Sequence, residues 1–147
     1  MKMKKTAVIV SGYFNPVHKG HIDLFKKAKS KGDFLFVIVN NDLQRSLKGS
    51  KEFMLQEERI LILNELKIID KVILSIDNDK TIIKTLRYIN DKFSKEFRLI
   101  FANGGDQNNE SIPEAILCNK IGINLIDGLG NKIQSSSWIL NKKIENK

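Results

Sequence analysis

Disulfides have no place in this chain, because its single cysteine, Cys118, has no partner within the molecule. That excludes a disulfide scaffold and points to a reducing compartment. The two histidines, His18 and His21, have no further His and only that one distant thiol to complete a zinc site, so a protein-held metal centre is not expected. Proline is confined to Pro16 and Pro113, which leaves no Pro-rich linker to divide the chain. No apolar run approaches the roughly 18 residues of a membrane-spanning helix. The N-terminus, M-K-M-K-K-T, leads into a strand of about six residues and not into a secretory hydrophobic region. A cytoplasmic protein with no membrane partner is expected. Neither G-x-x-x-x-G-K-[ST] nor G-x-G-x-x-G occurs, and Gly128-Leu129-Gly130 lacks a third glycine. A P-loop NTPase and a conventional dinucleotide oxidoreductase are therefore unsupported.

The 147 residues are 41% hydrophobic and 29% charged, which suits one globular domain spanning 1–147. Short, branched, apolar runs recur at Thr6–Ser11, Phe34–Val39, Lys71–Leu74, Leu99–Ala102 and Ile123–Ile126, the pattern of strands buried on both faces. Helix-period segments lie between them, at Ile22–Lys31, Gln56–Leu66, Thr81–Asp91 and Pro113–Ile121. The alternation predicts an α/β, Rossmann-like parallel sheet of about five strands with helices on both faces and a ligand site at the strands' C-terminal edge. Ser135–Lys147 reads as a short terminal helix. The net charge of +8 comes from lysines scattered through the chain without interleaved aromatics, which argues against a nucleic-acid partner. It suits anionic small substrates, whose local concentration a positive field raises.

The most informative segment is S-G-Y-F-N-P-V-H-K-G-H, Ser11 to His21, directly behind the first apolar run and ahead of a helical pattern. A strand that re-enters a helix through a Gly-containing loop points N–H groups at its concave side, where the helix dipole favours an anion. Histidines placed there can bind phosphate. The wording F-N-P-x-H-x-G-H resembles the HxGH signature of the nucleotidyltransferase superfamily, which includes cytidylyltransferases and several adenylyltransferases. By this resemblance His18 and His21 contact a nucleoside triphosphate and stabilise the transition state, and Gly20 leaves room for phosphate to approach the backbone. Gly12, Tyr13 and Phe14 present backbone groups to the nucleotide. Asn15 stands where many relatives carry Asp; a turn-stabilising side chain before Pro16 is an equal reading. The reaction needs an ionised phosphate to attack the α-phosphorus in line while pyrophosphate leaves, so the protein must supply alignment and positive charge, with no general base.

Further elements follow in the order such enzymes use. Asp42 and then Lys48, in a polar loop after the second strand, resemble a strand-end acid and a catalytic phosphate-binding lysine. Arg59 of Glu58-Arg59 and Lys67, which replaces a family arginine, are candidate substrate contacts. Phe101-Ala102-Asn103-Gly104-Gly105-Asp106 is similar to the G-G-D of heptose-phosphate nucleotidyltransferases, giving Gly105 and Asp106 as nucleotide contacts. Ser135, Ser136 and Ser137 resemble the hydroxyl-rich element that closes the superfamily site around phosphates. The resemblance implies transfer of CMP from CTP to a phosphorylated alcohol or sugar with release of pyrophosphate. The alternatives are an adenylyltransferase using ATP on a sugar phosphate such as a heptose phosphate, and a non-catalytic nucleotide-binding module. Mg²⁺ is expected to travel with CTP or ATP, and a homodimer or larger homo-oligomer is expected from the family.

Overall fold

The computed structural model describes residues 4–49, 51, 53–102 and 112–126. Alternating elements run β1 (Lys5–Gly12), α1 (Lys19–Lys29), β2 (Phe34–Val39), α2 (Asp42–Lys48), α3 (Gln56–Asn64), β3 (Lys71–Leu74), α4 (Ile83–Phe93), β4 (Phe97–Ala102), α5 (Ile112–Ile121) and β5 (Asn124–Ile126). The five strands form one parallel sheet in the order β3-β2-β1-β4-β5, as the alternation of patterns predicts.

Alternation along each strand loads both faces of the sheet. Ala7 and Ile9 of β1, with Phe36 and Ile38 of β2, pack against Leu86, Ile89 and Phe93 of α4 and Leu117 and Cys118 of α5. Val8, Val10, Leu35, Val37 and Val39 point the other way, onto Phe25 and Ala28 of α1 and Leu63 of α3. Such two-sided burial is why β1 and β2 read as continuous apolar runs. From β1 the chain builds outward to β2 and β3, then crosses back to lay β4 on the other side of β1. That reversal opens a crevice at the C-terminal edge beside β1, where the histidine segment begins.

Several boundaries differ from the sequence expectation, each for a local reason. Helix α1 starts at Lys19, three residues early, because His18 caps it. Helix α4 starts at Ile83, two residues late, because Asp79 Oδ1 draws the Thr81 amide and hydroxyl into a turn at 2.9 and 2.7 Å. Strand β4 begins at Phe97, whose ring packs edge-on against Phe34 and Phe36. Helix α2 replaces what reads as a loop. Asn41 and Gln44 form a reciprocal capping box at its start, and Gly49 ends it at φ 83°, a left-handed conformation that glycine adopts at no steric cost.

Burial of Leu86 is complete, in the layer where α4 meets the sheet. Leu86→Ala should lower stability by about 2–5 kcal/mol through lost burial and the cavity left behind. Urea unfolding checks this, with the midpoint moving and the slope unchanged.

Candidate active site

The loop from Tyr13 to His18 is held by its own side chains. Phe14 adopts φ 53° and buries its ring against Phe25 and, edge-on, His21, at centroid distances of 5.5 and 4.8 Å. The ring also covers Gly12, where a Cβ would come within 2.8 Å of it. The Asn15–Pro16 peptide is cis.

His18 takes the extended N-cap position of α1, and its Nδ1 accepts from the Gly20 amide at 3.0 Å. In return, His21 Nδ1 accepts from the His18 amide at 3.1 Å. Both rings thus spend Nδ1 on the capping box, which in the neutral tautomer places the remaining proton on Nε2 as a donor. The rings stack with centroids 3.9 Å apart and planes 28° from parallel. Burial first, and then the charge of neighbouring His18, lower the His21 pKa to about 4, so His21 is neutral at pH 7.

The histidines are therefore oriented N–H donors, suited to oxygens on which negative charge develops. Gly20 differs from expectation. Its amide is committed to His18, and a Cβ there would meet His18 Cε1 at 2.9 Å, so the glycine makes room for the imidazole.

Lys48 belongs to the last turn of α2, not to a polar loop, and its Nζ lies 4.5 Å from the centroid of the Tyr13 ring. The structure thus brings the lysine to the histidine loop. It does not leave Asn15, Asp42 or Arg59 free for substrate. Asn15 Oδ1 accepts from the amides of Phe53 and Met54 at 3.2 and 2.8 Å, while Nδ2 donates to the Lys51 carbonyl at 2.9 Å. The side chain ties its loop to the segment before α3, in place of a local turn or a nucleotide contact.

Arg59, read as a substrate contact, has no solvent exposure. It donates to the carbonyls of Tyr13, Asn40 and Met54 at 2.6, 2.7 and 3.1 Å and to Asp42 Oδ1 at 2.8 Å. Asp42 is spent on that pair and on the Gln56 amide. Lys67 is exposed and lies between α3 and the start of β3. In a parallel sheet that is the edge opposite the histidines, so the structure does not bring it to the site. Gly105, Asp106, Ser135, Ser136 and Ser137, together with the expected terminal helix, lie outside the described residues.

Sequence reading overlooked Gln44. It has no exposure; its Oε1 accepts from Asn40 Nδ2 and the Asn41 amide, and its Nε2 donates to the carbonyls of Asp79 and Thr81 at 2.8 and 2.7 Å. It fastens α2 to the loop before α4. The spacing Asn41-x-x-Gln44 is a helix-start signal that could have revealed both the residue and the helix.

Two oriented N–H donors and a nearby ammonium equip this edge for an anion's oxygens. Residues 9–125 match the model of the family described as cytidylyltransferase-like. The chain belongs to that family. It is a nucleotidyltransferase by membership, as its relatives are. It is 28% identical over 142 residues to the FAD synthase of Picrophilus torridus, covering 94% of this chain and 96% of that protein. It is 29% identical over 138 residues to the bifunctional protein HldE of Geobacter sulfurreducens, covering 92% of this chain and 24% of HldE, so it spans about a quarter of that protein. The crystal structure of the lipopolysaccharide core biosynthesis protein from Thermoplasma volcanium superposes with a TM-score of 0.68 at 27% identity, over 84% of this chain and 94% of that one.

Among the described residues no three His, Cys, Asp or Glu side chains gather as a metal cage, and no helix is long and apolar enough to cross a membrane.

Two predictions follow from the site's construction. Arg59→Leu leaves three carbonyls and Asp42 without their donor and should cost about 3–5 kcal/mol, read by denaturant unfolding. The second concerns pH. An unfolded chain, with histidine near 6.5, binds a proton that folded His21 refuses until about pH 4. The His21 contribution to stability is thus complete above about pH 6.5 and is lost as the pH falls towards 4. His21→Gln should show a shallower decline across that window, and parallel declines would remove His21 as its source.

Proposed function

We propose that this nucleotidyltransferase moves a nucleoside monophosphate from its triphosphate to a small phosphorylated acceptor, releasing pyrophosphate. The observation that carries the reading is the reciprocal capping box, which occupies both Nδ1 atoms and leaves each imidazole its Nε2 beside the start of α1. In that arrangement His18 and His21 donate to the triphosphate as charge moves onto its α and β oxygens. Backbone groups of Gly12 and Phe14 line the nucleotide's approach. Lys48 supplies a positive charge, and Gly105, Asp106 and Ser135–Ser137 complete the nucleotide contacts in keeping with the family pattern. Mg²⁺ enters as part of the substrate, bound to the triphosphate.

ATP is the donor we favour over CTP, to which the sequence resemblance inclined, because several relatives are FAD synthases, whose named product contains an adenylyl group. The acceptor is the phosphate of a sugar or another alcohol.

Thermal unfolding with Mg²⁺ and each of ATP, CTP, GTP and UTP tests the donor. At about 100 times its Kd the true donor should stabilise the protein by about 2.7 kcal/mol. Selective stabilisation by CTP would restore the cytidylyl reading, and no response to any nucleotide would remove the proposal. With the donor known, pyrophosphate release across a set of phosphorylated acceptors identifies the second substrate. In that assay His18→Ala should lower kcat by about 10²- to 10³-fold, and undiminished turnover would exclude the histidine mechanism.

A further inference from the structure

We propose that the Tyr13 ring is the positioning element for Lys48, holding its ammonium over the histidine loop before substrate arrives. The inference rests on the reading above, in which Lys48 meets phosphate. Lys48 is exposed at the last turn of α2, and a lysine in that setting ordinarily samples many rotamers about its flexible four-carbon stem. Here Nζ stands 4.5 Å from the centroid of the Tyr13 ring, within the range at which an aromatic face attracts an ammonium group.

The ring is itself anchored. Its hydroxyl reaches the carbonyl of Gln44, one turn earlier in α2, at 3.5 Å. The Tyr13 carbonyl accepts from buried Arg59 at 2.6 Å. One tyrosine thereby spans the histidine loop and the helix that carries the lysine. The ion pairs among the described residues join Lys29 to Asp70 and Arg59 to Asp42; neither uses Lys48. The choice of partner has a chemical consequence. A carboxylate would orient Lys48 by neutralising it, whereas a π face orients it and leaves its whole positive charge available to phosphate.

A double-mutant cycle on Tyr13 and Lys48 tests the proposal, with Mg²⁺–ATP and Mg²⁺–CTP as titrants and thermal unfolding as a check on folding. Tyr13→Leu should weaken binding of the donor nucleotide roughly two- to five-fold. Tyr13→Phe, which keeps the ring and loses only the hydroxyl's reach to the Gln44 carbonyl, should weaken binding less than Tyr13→Leu does. In a Lys48→Met background the same Tyr13→Leu change should have no further effect. An equal loss in both backgrounds would overturn the proposal, because the ring would then act without the lysine. Unchanged affinity in Lys48→Met alongside weakened binding in His18→Ala would overturn it while leaving the nucleotidyl-transfer reading intact.

The contact has a separate spectroscopic readout. Ring current from Tyr13 should move the Lys48 ε-methylene resonances upfield in wild type and Tyr13→Phe, and not in Tyr13→Leu. Unshifted resonances in wild type would overturn the contact itself. Upfield resonances in a protein that binds neither nucleotide would overturn the functional reading instead.

Discussion

A guanidinium with no solvent exposure lies where the histidine loop, the end of β2, the start of α2 and the segment before α3 converge. Burying that charge is costly unless its donors are met. Arg59 meets the condition with three backbone carbonyls and Asp42. Carbonyls only accept and so cannot bond one another, and the arginine is their common donor. Asn15 repeats the connection from the other direction, and Gln44 extends it to the loop before α4. The site edge is thereby one hydrogen-bonded body resting on a sheet packed on both faces.

On that body each of the two histidines gives one nitrogen to structure and keeps the other. Each Nδ1 satisfies an amide at the start of α1, which a Ser or Asp cap would do equally well. Only an imidazole leaves a second, oppositely placed donor after doing so. Partial burial and the stacked neighbour keep His21 uncharged, and Phe14 supports it from the side. Glycine at position 20 belongs to the same device, since any larger residue would displace the His18 ring.

The parallel sheet was legible because strands buried on both faces must be apolar at every position, as Val8-Ile9-Val10 and Leu35-Phe36-Val37-Ile38-Val39 are. The histidine segment was legible as a strand-to-helix loop from its place between an apolar run and a helical pattern. Arg59, Asp42 and Asn15 were misjudged for a common reason: polar residues near a site look alike in sequence whether they face ligand or hold loops. Which they do depends on partners tens of residues away, 46 for Arg59 and Tyr13, and 39 for Asn15 and Met54. Helix α2 is only 7 residues long, too short for its two leucines, Leu43 and Leu47, to mark a helical periodicity.

Local order in the chain determined the strands, the capping histidines and the sum of the charges, since each depends on residue type or on neighbours a few positions away. Where the charge goes was decided by the tertiary structure. Parallel strands and returning helices carry Lys26, Lys27, Lys31, Lys92, Lys95 and Arg98 to the edge opposite the histidines, while Lys48 rests on the Tyr13 ring. A sum of charges has no direction, and only folding converts it into a field with a place to act.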